Sequence, residues 1–376
     1  MGRKEAKTLL DRPQIFFRIL GPPTRLLFNV WELGFFRYFR NSNNLEMKKL
    51  VAFGAIVGAL FMTSCEPNGP AVEPATYPGD SLTVSNAARP LVIETTGAWC
   101  QYCPNGAEIM TILDGVLGDS VVLIANHVGD WFSTDNAASA KFDDNFPTSG
   151  VPNFYVNNTD VGQSPAAAAA AATLAEVAFG LEAEVIKDST KFIVYPRVKA
   201  LETNLDNVYM IQSYLLLNGV EAKDYGNGVD LNQVSSLPKV STGSGATPTT
   251  WAQDAALVNG NPLIKSGTIY THDEVLYRHA TAAVIGWVDS DDAATSDTSM
   301  VSLGPWGMNL GDLNPLGNAF AAGDVYGTRY TPLQFHIARP SLPFNADYSI
   351  ATIVWELRQD GSGDYDYVNG VVTHVH

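Results

Sequence analysis

The stretch Trp99-Cys100-Gln101-Tyr102-Cys103-Pro104 constrains this chain most, because it joins a strand-like run to a helix-like run. The run Pro90 to Ala98 is apolar and β-prone, and the spacing predicts a helix from about Asn105 to Leu117. A Cys-x-x-Cys at such a junction has a physical logic. The first sulfur lies at a helix N-terminus, where unpaired N–H groups and the macrodipole favour a thiolate. Two intervening residues let the second sulfur turn back on a mixed disulfide, and Pro104 fits the first helical turn without losing a bond. Cys100 reads as the exposed nucleophile and Cys103 as the resolving thiol. A structural disulfide that never turns over would use the same two residues. A metal site would need further ligands, and no second cysteine pair exists.

This segment resembles the thioredoxin superfamily. Aligned on Trp99-Cys100, Glu94 falls where that superfamily places a buried acid beneath the second cysteine, which implies a proton-relay role. Its strand neighbours Val92 and Thr96 do not settle its burial by pattern alone. About fifty residues later, Thr148-Ser149-Gly150-Val151-Pro152-Asn153-Phe154 looks like the superfamily's cis-proline loop. The resemblance implies that Pro152 packs against the disulfide and that the Val151–Pro152 backbone docks substrate. Trp99 then serves packing and the substrate-facing surface together.

The amino-terminal part is different in kind. Residues 1–46 hold eight Lys/Arg against four Asp/Glu, or +4, so the net charge of -16 leaves -20 on the remainder. An acidic body excludes a basic nucleic-acid-binding face. From Met47 the sequence reads Met47-Lys48-Lys49, an apolar run from Leu50 to Leu60, and Phe61-Met62-Thr63-Ser64-Cys65. That is a charged n-region, an h-region and a small-residue cleavage site, too short to favour a spanning helix. It resembles a bacterial lipoprotein signal, which implies cleavage before Cys65, lipidation of Cys65 and attachment to a membrane by acyl chains. Met47 is then the expected start, residues 1–46 a mis-set upstream extension, and 65–85 the lipidated cysteine with a Pro- and Gly-rich tether.

A thioredoxin-like domain is expected over 86–180. Its further pieces are a buried strand from Val121 to Asn126, a helix from Ser133 to Phe146 opened by Ser133, and a strand over Phe154-Tyr155-Val156. A closing alanine-rich helix after Pro165 is expected to run through Phe179 and end at Gly180. From Leu181 the pattern changes to strands between polar turns: Phe192 to Tyr195, Val208 to Leu217, Ala282 to Val288, Tyr348 to Leu357 and Tyr367 to Val375. The expected fold class is therefore α/β plus all-β, a thioredoxin-like domain followed by an antiparallel β-sandwich over 181–376.

The whole mature pattern is similar to the outer-membrane-protein-28-related lipoproteins of Bacteroidetes-type bacteria. The matching pieces are Thr95 to Glu108, Gly150 to Phe154, His272 to Arg278, and Tyr367 to Val372. The resemblance implies an outer-membrane address, periplasmic or cell-surface, and leaves the activity open. The leading function is thiol-disulfide exchange on exported proteins, with exported protein thiols or a redox partner as counterpart and no bound cofactor. The alternative is a non-catalytic surface-binding lipoprotein that uses the fold as scaffold. No metal is expected. His127 either lies near the disulfide or caps its strand, the second being favoured; His272 and Arg278 read as holding loops or a domain interface, and the acidic loops at 289–292 and 360–366 as turns rather than calcium sites. Oligomeric state is not legible.

Overall fold

A computed structural model describes residues 77–100, 103–133, 136–163, 168, 171–172, 176–203, 205–221, 271–288, 296–340 and 347–375. The expected signal segment and Cys65 lie outside the described residues, as do most of 164–175 and all of 222–270. In chain order the strands are β1 (Leu91–Thr96), β2 (Val122–His127), β3 (Asn153–Val156), β4 (Thr159–Gly162), β5 (Phe179–Lys187), β6 (Lys191–Ala200) and β7 (Tyr209–Asn218). They continue as β8 (Val220–Glu221), β9 (Thr271–His272), β10 (Val275–His279), β11 (Ala282–Val288), β12 (Ser296–Ser302), β13 (Met308–Asn309) and β14 (Val325–Tyr326). The last three are β15 (Leu333–Ala338), β16 (Asp347–Leu357) and β17 (Tyr365–Val375). Among the described residues the helices α1 (Cys103–Leu117) and α2 (Ala137–Asn145) accompany a mostly β architecture.

The described strands form a nine-stranded sheet of order β17-β16-β7-β10-β2-β1-β3-β4, with β13 on β7, a six-stranded sheet of order β12-β11-β15-β6-β14, with β5 on β6, and a two-stranded β8-β9 ribbon. β1 and β2 run parallel from Leu91↔Val122 to Thr96↔His127, and β3 returns antiparallel to β1. The boundary expected at residue 180 does not separate two sheets. β10 joins β2 at Val275↔Ala125, where the Ala125 N–H donates to the Glu274 carbonyl at 2.8 Å, so strands from both sides of 181 share one sheet.

Alternation along these strands divides the core by face. Val92, Leu123 and Phe154 point to α1, where they meet Ile109, Met110 and Leu113. Further along that face, Val275, Leu215 and Leu217 pack on the six-stranded sheet through Phe192, Val194 and Phe335. The opposite face carries Ile93, Ile124, Tyr214, Leu216 and Trp355 and is covered by Phe142 of α2 and by Phe146, the residue that caps its C-terminus. Each buried Leu, Ile or Phe there contributes roughly 1.5–3 kcal/mol relative to exposure. Trp355 is held further, its indole N–H donating to the Tyr214 hydroxyl at 3.1 Å and that hydroxyl to the Pro305 carbonyl at 2.9 Å.

Two local expectations are corrected. α2 is capped by Asn136, whose side chain accepts the Ser139 N–H, because Ser133 is engaged in the preceding turn, its hydroxyl donating to the Asp130 carbonyl at 2.8 Å. Phe179 and Gly180 do not end a helix; they open β5 beside the segment near Ser85. A Cβ on Gly180 would meet the Ser85 carbonyl oxygen at 2.7 Å, so glycine is what lets the two backbones approach.

Candidate redox site

The sequence folds so that β1 delivers the turn from Gly97 to Cys100, and α1 begins at Cys103. Cys100 and Cys103 are joined as a disulfide with Cα atoms 5.4 Å apart. The Cys103 N–H donates to Cys100 Sγ at 3.1 Å, the contact expected for a sulfur at a helix N-terminus. The Val151–Pro152 peptide is cis, and the Val151 carbonyl oxygen lies 3.6 Å from Cys100 Sγ. Cys100, expected to be exposed, is only 4% exposed, and the Val151 carbonyl beside its sulfur is part of what surrounds it. Trp99 is the exposed member of the turn at 57%, its indole N–H donating to the Val128 carbonyl at 2.8 Å.

Glu94 is buried on the α1 face of β1. Desolvation pushes its carboxyl up to about 8, against the pull of a hydrogen bond from Thr96, and its Oε1 has no partner among the described residues. Its room comes from α1. A Cβ on Gly106 would collide with Glu94 Oε1, lie 2.7 Å from Glu94 Cδ and lie 3.1 Å from Pro152 Cβ. Gly106 is one helical turn beyond Cys103, so Glu94, Pro152 and the Cys103 side of α1 converge. A carboxyl titrating near neutrality there can give or take a proton as thiols and disulfide interconvert. The structure thus brings together Cys100, Cys103, Glu94, Trp99, Val151 and Pro152.

Sequence reasoning singled out His127 and His272 separately but missed Asp130 and the buried cluster the three form. His127 Nδ1 lies 2.6 Å from Asp130 Oδ2, with both side chains 1% exposed. Burial raises the Asp130 carboxyl, but His127 and the Ala98 N–H outweigh it and hold the group below its ordinary range. His272 packs edge-on against His127 at 5.0 Å between ring centroids. Burial, then the neighbouring His127, pushes His272 down to about 3. The available signal was the His-x-x-Asp spacing at the end of a strand.

The other polar readings resolve simply. Asp273 Oδ1 accepts the Gly219 N–H at 2.8 Å, and the Arg278 guanidinium donates to the Ala338 carbonyl at 3.3 Å. In the 360–366 turn, Asp360 accepts from the Ser362 N–H at 2.9 Å, while Arg358 pairs with Asp366 at 2.7 Å. The loop at 289–292 lies outside the described residues. Among the described residues no group of three or more His, Cys, Asp or Glu side chains is placed to hold a metal, and no helix is long and apolar enough to cross a membrane.

No protein-family model matches the chain, and no curated protein matches it. Among solved structures it is similar to HBP35 of Porphyromonas gingivalis, with 13% identity, a TM-score of 0.45, and 78% of this chain and 77% of that one covered. It is also similar to a structural-genomics protein of Agrobacterium tumefaciens, with 9% identity, a TM-score of 0.34, and 77% of this chain and 95% of that one covered. Both superpositions are too loose for any property of either protein to be carried over.

Proposed function

We propose that this chain is a thiol-disulfide exchange protein of the cell envelope, thioredoxin-like over 86–180 and anchored to the outer membrane through lipidated Cys65. The observation that carries the reading is the Cys100–Cys103 pair at the start of α1, with the Val151 carbonyl 3.6 Å from Cys100 Sγ. The order β2-β1-β3-β4, with one parallel and two antiparallel pairings and α1 crossing between β1 and β2, supports the thioredoxin-like reading. The resemblance to the outer-membrane-protein-28-related lipoproteins supports the address.

In the reducing direction, the Cys100 thiolate attacks one sulfur of a substrate disulfide. A Cys100–substrate disulfide forms and the other substrate sulfur leaves as a thiolate. Cys103, deprotonated with Glu94 taking its proton, then attacks Cys100 Sγ. The Cys100–Cys103 bond forms, the second substrate thiolate is released, and two electrons have passed to the substrate. The Val151–Pro152 edge and Trp99 border the substrate backbone. Exported proteins with disulfides are the substrate class.

The rival is a surface-binding lipoprotein with a structural disulfide, favoured by the 4% exposure of Cys100. One experiment separates them. The full chain carrying Cys103→Ser, incubated with a disulfide-bonded peptide, is expected to accumulate a mixed disulfide at Cys100 that Cys100→Ser does not form. No adduct with either variant would favour the staple.

A further inference from the structure

We propose that Asp130 is a positioning residue for Cys100, holding the Ala98–Trp99–Cys100 turn through the Ala98 amide, and that His127 in turn orients Asp130. The inference rests on the exchange reading above and goes beyond it by adding two residues behind the sulfur.

Three bonds strap the turn to the loop that follows β2. The Val128 N–H donates to the Thr96 carbonyl at 2.9 Å, the Trp99 indole to the Val128 carbonyl at 2.8 Å, and the Ala98 N–H to Asp130 Oδ2 at 2.8 Å. The third runs through a buried carboxylate, a costly device where a backbone carbonyl would serve. The two carboxylate oxygens divide the work. Oδ1 serves Asp130's own loop, accepting the Phe132 N–H at 2.9 Å and the Ser133 N–H at 3.3 Å. Oδ2 reaches across to Ala98 and to His127.

A carboxylate only accepts, so His127 Nδ1 carries the proton in that bond. The His127 ring is itself fixed, edge-on to Phe132 at 4.7 Å and to His272 at 5.0 Å between centroids. Among the described residues, the titratable groups that face Asp130 include His127 and His272. Downstream, the Cys100 N–H donates to the Gly97 carbonyl at 2.9 Å, and Cys100 Sγ receives the Cys103 N–H at 3.1 Å. A turn released at Ala98 therefore displaces the sulfur from its donor and from the helix N-terminus.

The test uses the reduced full chain. Iodoacetamide alkylation of Cys100 is followed against pH by mass spectrometry, alongside amide exchange at Ala98. Asp130→Asn is nearly isosteric, but its NH2 must face donors on one side or the other. The expected result is alkylation slowed about tenfold or more near neutral pH, a raised pH midpoint, and faster exchange at Ala98. A purely electrostatic role predicts the opposite sign, because removing a negative charge near a thiolate lowers the midpoint and speeds alkylation.

His127→Asn keeps a donor near the Nδ1 position and is expected to stay close to wild type, while His127→Leu loses several-fold. That pair decides the matter if Asp130→Asn does not fold. A folded Asp130→Asn with an unchanged or lowered midpoint would overturn the proposal, as would His127→Leu indistinguishable from His127→Asn. Alkylation needs no exchange partner. A wild-type chain that alkylates at Cys100 but exchanges with no disulfide would sink the functional reading and leave the positioning comparison intact.

Discussion

The two ends of the nine-stranded sheet treat buried polar groups in opposite ways. At the β7–β16–β17 end they are partnered. The Gln212 amide donates to the Ala280 and Gly304 carbonyls, Ser213 and Thr352 share a hydroxyl bond at 2.8 Å, and Asn369 serves four backbone groups. At the β1–β2 end, Glu94 Oε1, Thr95 Oγ1, Asn126 Oδ1 and His127 Nε2 have no hydrogen-bond partner among the described residues, nor does His272 Nε2 beside them. Packing alone would favour the first arrangement everywhere, since an unsatisfied buried group costs about 1–3 kcal/mol. Of these groups, Glu94 faces Gly106 at the start of α1, one turn from Cys103. One end of the sheet satisfies its buried polar groups, and the other leaves several unpartnered, the Glu94 carboxyl among them.

The largest test of this contrast is at the partnered end. Asn369→Ala would strand the Arg89 and Gly370 N–H groups and the Ala87 and Phe179 carbonyls, an expected loss of roughly 2–4 kcal/mol in denaturant unfolding. Its Cys100 alkylation midpoint should stay at the wild-type value. A shifted midpoint would show that the two ends are not separable.

Gly106→Ala comes next. In an open helix interior this change gains about 1 kcal/mol. Here the new methyl meets the Glu94 carboxyl, so a loss of roughly 1–3 kcal/mol is expected. Combining it with Glu94→Ala should recover most of that loss; simple additivity of the two changes would contradict the packing.

Glu94→Gln sharpens the comparison through pH. With its carboxyl raised to about 8 from an ordinary 4.5, the folded chain binds a proton that the unfolded chain has released between those values. Stability contributed by the protonated form is complete below the unfolded value and is lost as pH rises through the folded one, by up to ~1.4 kcal/mol per pH unit. Glu94→Gln should flatten that slope and be the more stable form above pH 8. An identical slope in the two proteins would place Glu94 in water.

Much of this organisation was legible in the residues. β11 falls on its expected bounds, β16 and β17 within two residues, and the Cys-x-x-Cys lands at the start of α1, because alternation and helix-terminus chemistry are local signals. The α2 cap was misplaced by three residues because Ser133 and Asn136 are both good caps, and only tertiary context assigns Ser133 to the Asp130 turn. The shared sheet was not legible at all. It depends on Val275 meeting Ala125, a pairing across 150 positions that leaves no periodic trace. The candidate site divides in the same way. Cys100 and Cys103 announce themselves by spacing, whereas Asp130 meets the Cys100 turn at the Ala98 amide, and Gly106 makes room by lacking a side chain.

The reduction potential of the Cys100–Cys103 pair, measured on the full chain equilibrated in glutathione buffers, tests the central claim most directly. The account predicts a value between about -270 and -120 mV, within the span of known exchange proteins. A value below about -300 mV, with both sulfurs unreactive after reduction, would make the disulfide a structural staple and contradict the account.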